Sequence, residues 1–145
     1  MKRMKQLLFV LFISISNSTF AGVSSHTDTN TVTVFDVYKY IKCSGILYPE
    51  IVLRQAIWET GWFKSKHALQ KNNLFGFRYS KKYMSFDSWK ACVDYYKGWQ
   101  SRKYTNPDED YYKFLIRIKY ATSQKYISSL KSLKIDIPEV NCDEE

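Results

Sequence analysis

The chain has 145 residues and a formal net charge of +8, and 17% of its residues are aromatic. Its length is typical of one domain of moderate size, and its aromatic content is high enough to build a dense core. The composition excludes a wholly disordered chain, and the sequence contains no internal repeat that would indicate a solenoid.

The N-terminus has the parts of a secretory signal peptide. Residues 1–5 carry three positive charges, 6–16 are apolar, and small residues precede a cleavage point after Ala21. We therefore expect a cleaved signal over 1–21, a flexible lead-in over 22–32, and a periplasmic or secreted protein. The apolar run is too short to span a membrane. A basic exported protein is expected to bind anionic wall polymers rather than nucleic acid.

The mature chain is predicted to be mainly α-helical. Thr33 and Asp36 form a capping box before the first apolar period, and Pro107 follows a capping Asn106 at the start of a later helix. The predicted elements are helices over 33–43, 49–60 and 65–70, a two-stranded ribbon around 77–86, and helices over 88–103, from 107 onward and over 123–133.

These elements predict one domain over 33–134 with a short β-ribbon lobe. Residues 135–145 form an acidic tail that we expect to be mobile apart from its cysteine. We expect a monomer.

The three cysteines allow at most one internal bridge. Cys92 lies at helical spacing among apolar residues, which predicts a buried thiol, and Cys43 and Cys142 are the favoured pair. The cysteines lack metal-ligand spacing and His67 has no histidine nearby, so we expect neither a metal site nor a cofactor.

The helix over 49–60 contains one acidic side chain at a position that is otherwise apolar. Glu59 lies roughly 140° from Arg54, the predicted solvated pole of the helix. Its carboxyl is therefore expected to point into the interior or into a cleft. A buried carboxyl is either a structural group with a partner or a general acid that keeps its proton near neutral pH.

Four segments around this glutamate carry a resemblance to a known family. They are IVLRQAIWETGW over 51–62, NNLFGF over 72–77, FDSW over 86–89 and RKY over 102–104. Their order and spacing resemble the bacterial endo-β-N-acetylglucosaminidases of glycoside hydrolase family 73, over about 46–133. The resemblance implies a lysozyme-like helical fold, a cleft that binds the glycan strands of peptidoglycan, and Glu59 as the general acid.

The types of residue around Glu59 also indicate how a glycan would be bound. Trp58 and Trp62 are expected to form an apolar wall beside Glu59, and aromatic side chains are expected to stack on sugar rings, although each is equally compatible with core packing. The residues expected to bind substrate are Trp62, Asn72, Asn73, Phe75, Gly76, Phe77 and Tyr83.

A second catalytic carboxylate is missing from the motif. The sequence has no Asp or Glu between Glu59 and Asp87, and Asp87 is typical of a helix cap. We therefore expect attack by the substrate's own acetamido group, with Tyr104, at the family's Arg-x-Tyr position, as the assisting residue. The alternatives are a lytic transglycosylase acting on the same polymer and a non-catalytic wall-binding or assembly module.

Overall fold

The computed structural model describes residues 31–137 and 139–143. The predicted signal peptide and the lead-in up to residue 30 lie outside the described residues. The described part contains six helices and one ribbon: α1 (Val34–Cys43), α2 (Pro49–Thr60), α3 (Lys66–Gln70), β1 (Arg78–Tyr79), β2 (Lys82–Tyr83), α4 (Trp89–Lys103), α5 (Tyr111–Arg117) and α6 (Tyr126–Ser132). The prediction of a mainly α-helical fold with a short ribbon is confirmed. No helix in these ranges is long and apolar enough to cross a membrane.

Side-chain caps begin the helices where the sequence predicted them. The hydroxyls of Thr33, Ser65 and Ser88 accept hydrogen bonds from backbone N–H groups in the first turns of α1, α3 and α4. Capping of this kind satisfies donors that have no partner within the helix. Ser88, rather than Asp87, is therefore the N-cap of α4.

The predicted start of α5 at Pro107 is wrong, because a turn occupies that segment. The side-chain oxygen of Asn106 accepts a hydrogen bond from the backbone of Asp108, which closes a local turn. Asp110 caps the helix instead, and α5 begins at Tyr111. The last helix also begins later than predicted, at Tyr126.

Helix α2 lies at the centre of the core and packs against α1, α3 and α6. Arg54 is not its solvated pole, as the sequence predicted. The guanidinium of Arg54 is half-buried and donates hydrogen bonds to the carbonyls of Leu130 and Leu133, at 3.1 and 2.6 Å. Arg54 thereby supplies donors to two carbonyls at the C-terminal end of α6, of which that of Leu130 also accepts from the Leu133 N–H.

The C-terminal tail packs against the core over its described residues. A disulfide joins Cys43 to Cys142, as predicted, and Cys92 is a buried free thiol. Val140 is buried beside this bridge, and its carbonyl accepts a hydrogen bond from Lys42 at 3.2 Å. The apolar residues of the tail make contacts that its acidic composition did not predict.

The disulfide is expected to contribute strongly to stability, because its two cysteines are 99 residues apart in sequence. The double variant Cys43→Ser/Cys142→Ser should lose about 2–4 kcal/mol in free energy of unfolding, measured by urea denaturation. As a control, a reducing agent should lower the wild type to the level of the variant and leave the variant unchanged. Equal stability of the oxidised wild type and the variant would contradict this prediction.

Candidate active site

Two adjacent cavities meet at the end of α2. The larger has a volume of about 700 Å³ and the smaller about 90 Å³. Glu59, Gly76 and Tyr83 line both cavities and therefore lie at their boundary. The other residues of the larger cavity are Phe75, Phe77, Arg78, Trp99, Lys103, Ile118, Tyr120, Ala121 and Thr122, and those of the smaller are Ser65, His67, Ala68, Lys71 and Asn73.

The Glu59 carboxyl is half-buried at this boundary. Burial raises its pKa above the ordinary value of 4.5, while a hydrogen bond from the Tyr126 hydroxyl and the positive charge of Arg78 lower it by less. Loss of hydration disfavours the charged form of a carboxyl, and this effect exceeds the two that favour it. Glu59 therefore holds its proton to higher pH than a solvated glutamate does.

Gly76 allows the carboxyl to occupy this position. Its φ is +68°, and a Cβ atom added there would lie 2.8 Å from Oε2 of Glu59. Any larger residue would meet the carboxylate oxygen and would also strain the backbone. The glycine of the NNLFG segment thus lets the backbone approach the acid without displacing it.

The two asparagines of that segment hold the ribbon. Asn73 donates to the carbonyls of Phe77 and Met84 at 2.9 and 3.0 Å, and its side-chain oxygen accepts from the Phe77 N–H at 2.9 Å. Asn72 donates to the carbonyl of Phe86 at 2.9 Å. Their amides therefore shape the cavity wall through the backbone, and Asn73 also lines the smaller cavity.

A buried thiol and a tyrosine hold the segment from its other side. Backbone groups of Leu74 and Phe75 hydrogen-bond the Cys92 thiol, whose pKa burial raises to about 12. The hydroxyl of Tyr120 donates to the Phe75 carbonyl at 2.9 Å. The backbone leading into Gly76 is therefore tied both to α4 and to the segment between α5 and α6.

Aromatic rings form the walls, and sequence reasoning identified only some of them. Phe75, Phe77 and Tyr83, whose contacts with substrate stay predictions, line the larger cavity, and so do Trp99 and Tyr120, which were missed. The guanidinium of Arg78 lies 4.2 Å from the centre of the Tyr83 ring. Arg78 and Lys103 make this wall cationic, and Lys71 adds a positive charge beside the smaller cavity.

Tyr126 was also missed as a site residue. Its apolar neighbours at helical spacing indicated a core position in the last helix, and the residue is indeed buried. The hydroxyl nevertheless reaches the Glu59 carboxyl. Periodicity could not reveal this contact, because it predicts which face of a helix is buried but not where a hydroxyl points.

Three aromatic residues predicted near the acid do not line either cavity. Trp58 and Trp62 are 45% and 43% exposed, so the apolar wall expected from them is supplied by other residues. Tyr104 is buried, and its hydroxyl contacts the Tyr48 hydroxyl at 2.9 Å and donates to the Glu109 carbonyl. The roles of Trp62 in glycan binding and of Tyr104 in catalysis stay predictions.

Glu59 is the only Asp or Glu among the residues that line the two cavities. Asp87, the next acid in sequence, is exposed and is not among them. The arrangement therefore provides one carboxyl that can donate a proton, surrounded by aromatic faces and positive charges.

The contact with Gly76 predicts a sharp difference between two glycine variants. Gly76→Ala should lower turnover about 100-fold, because the new methyl group displaces the Glu59 carboxyl and a misplacement of about 1 Å can have an effect of this size. Gly45→Ala is the matched control, since Gly45 also has a positive φ of +76° but has open space around its Cβ position. Both should lose about 1 kcal/mol of stability from backbone strain. Equal activity of the two variants would show that the contact is unimportant.

One of three comparisons with known proteins found a match. A family model described as Glucosaminidase, mannosyl-glycoprotein endo-beta-N-acetylglucosaminidase, matches residues 35–136, which is more than half of the chain and includes Glu59. None of the curated proteins and none of the solved structures compared with the chain matches it. The chain therefore belongs to the glucosaminidase family, and it is a glycoside hydrolase.

Proposed function

We propose that this protein is an exported peptidoglycan hydrolase of the N-acetylglucosaminidase type, in which Glu59 is the general acid. The observation that carries the proposal is the position of the Glu59 carboxyl, half-buried at the boundary of two cavities with its pKa raised. A glycosidic oxygen is a poor leaving group and needs a proton as its bond breaks, which a carboxyl with a raised pKa supplies.

The larger cavity has room for part of a glycan strand, and a glycosidic bond at the boundary of the two cavities lies beside Glu59. The proton then moves from Glu59 to the oxygen of the leaving sugar, and the β-1,4 bond breaks.

The charge around the cavities supports peptidoglycan as the glycan. Arg78 and Lys103 line the larger cavity and Lys71 the smaller, whereas Glu59 is the only acid among the lining residues. Peptidoglycan carries free carboxyl groups on its peptide substituents, and neutral glycans do not. A cationic cleft therefore favours the anionic polymer. An exported enzyme, as the N-terminal sequence predicts, would meet this polymer outside the cytoplasm.

The single carboxyl supports a substrate-assisted reaction. The oxygen of the 2-acetamido group bonds to the anomeric carbon while the glycosidic bond breaks and Glu59 protonates the leaving oxygen. Water then opens the resulting oxazolinium ring, and the glutamate carboxylate accepts a proton from that water. Two displacements at one carbon retain the anomeric configuration.

The single carboxyl also suits a lytic transglycosylase, the second candidate function. In that reaction a hydroxyl of the same sugar, instead of water, completes the displacement. Its product is therefore lighter by one water than the product of hydrolysis.

Replacement of the acid tests the assignment. Glu59→Gln should lower turnover by about 10² to 10⁴ and leave the fold intact, because an amide has the shape of the carboxyl but cannot deliver its proton. Release of soluble fragments from purified peptidoglycan is the measurement. Glu50→Gln is the matched control, since Glu50 is exposed in the first turn of the same helix, and it should retain wild-type activity.

The fragments also distinguish the candidate reactions. Mass spectrometry should show reducing ends at N-acetylglucosamine and products that have gained a water. Products lighter by one water would support the lytic reaction instead. Wild-type activity of Glu59→Gln would exclude this glutamate as the acid in either case.

A further inference from the structure

A series of hydrogen-bonded side chains lies behind Glu59 and is used by no step of the proposed reaction. Each member is at most 5% exposed. Burial of polar groups is unfavourable unless every donor and acceptor is satisfied, and among the described residues no buried side-chain nitrogen or oxygen lacks a partner. We refer to four of these side chains as the core network: Gln100, Tyr111, Tyr96 and Gln55.

The core network begins at the backbone of Leu47, whose N–H can only donate a hydrogen bond and whose carbonyl can only accept one. The Leu47 N–H donates to Oε1 of Gln100, and Nε2 of Gln100 donates to the Leu47 carbonyl, both at 2.9 Å. This pair of bonds permits one orientation of the Gln100 amide. The second hydrogen of Nε2 is donated to the Tyr111 hydroxyl oxygen, also at 2.9 Å.

The direction of donation then follows link by link, because a tyrosine hydroxyl has one proton. The Tyr111 oxygen accepts from Gln100, so Tyr111 donates its proton to Tyr96 at 2.7 Å. Tyr96 in turn donates to Oε1 of Gln55 at 2.6 Å. The Gln55 amide is thereby oriented with Nε2 toward Tyr126, and it donates to that hydroxyl oxygen at 3.5 Å.

The last member leaves one proton unassigned. Tyr126 accepts from Gln55, so its own proton is available for the Glu59 carboxyl, with which it hydrogen-bonds. We propose that the core network compels Tyr126 to donate its hydroxyl proton to Glu59 rather than accept the proton that Glu59 carries. The four members are positioning residues, and the inference rests on the proposed role of Glu59 as the acid.

For catalysis, this means that the Glu59 carboxylate already has a hydrogen-bond donor, Tyr126, when Glu59 gives up its proton. The hydrogen bond from Tyr126 favours the charged form of Glu59 and lowers its pKa against the larger effect of burial. If the network is interrupted, the Gln55 amide can turn over and accept the Tyr126 proton. Glu59 then loses its donor, and its pKa rises further.

Other charged and titratable groups also face Glu59, and they are the same in every variant compared below. Arg78 of β1 lowers the pKa of Glu59, and Tyr120 lies close enough to interact with its charge. The remaining groups line the cavities and are His67, Lys71, Tyr83 and Lys103.

Tyr96→Phe tests the inference, because it removes one hydroxyl from the middle of the network and touches neither Glu59 nor the cavities. The Glu59 carboxyl is followed by ¹³C NMR during a pH titration of the protein without substrate, and its signal is assigned by its loss in Glu59→Gln. The titration midpoint should move to higher pH in Tyr96→Phe and in Tyr126→Phe. Turnover should fall about tenfold in Tyr96→Phe, as expected for loss of a hydrogen bond to a charged group.

Tyr40→Phe is the control, since it also removes an interhelical hydroxyl bond, to Asp94, but lies outside the network. Its midpoint should stay at the wild-type value. Tyr111→Phe provides a second interruption and should behave like Tyr96→Phe. A shift in Tyr126→Phe without one in Tyr96→Phe and Tyr111→Phe would overturn the inference. The titration needs no substrate, so its outcome is separate from that of the peptidoglycan assay.

Discussion

The site depends on the close approach of the Glu59 carboxyl to the backbone at Gly76. Helix α2 supplies the acid from its last turn, and the NNLFG segment supplies a wall that has no side chain at the point of contact. That wall is held by Asn73 and by the Cys92 thiol, neither of which lines the larger cavity. Much of the surrounding structure therefore positions one short stretch of backbone against one carboxyl, and this contact removes water from the acid.

The core network acts on Glu59 differently from the aromatic residues that line the cavities. Removal from water raises the pKa of Glu59, but a carboxyl that is too poorly solvated releases its proton slowly. The Tyr126 hydroxyl offsets part of this effect, and its donor direction is determined by the backbone of Leu47 through the core network. Burial and hydrogen bonding thus act in opposite directions on the same group, and the balance suits a general acid.

Local patterns predicted the helices and the acid well, because capping and periodicity act over a few residues. The bounds of α2 and the inward side of Glu59 follow from such patterns, whereas the Cys43–Cys142 bridge was favoured because the helical spacing around Cys92 predicted a buried thiol. The start of α5 was mispredicted, since the Asn106 side chain forms a turn where proline suggested a helix. The contact of Tyr126 with Glu59 and the exposure of Trp58 depend on how the helices pack, and local sequence patterns do not indicate that packing.

The central claim, that folding raises the pKa of Glu59, is tested most directly by the pH dependence of stability. A raised pKa in the folded state contributes stability that is present below the unfolded pKa and is lost as pH rises through the folded pKa. Urea denaturation of wild type and Glu59→Gln should therefore show the variant gaining on the wild type as pH rises from about 4. Parallel stability curves across this range would contradict the account.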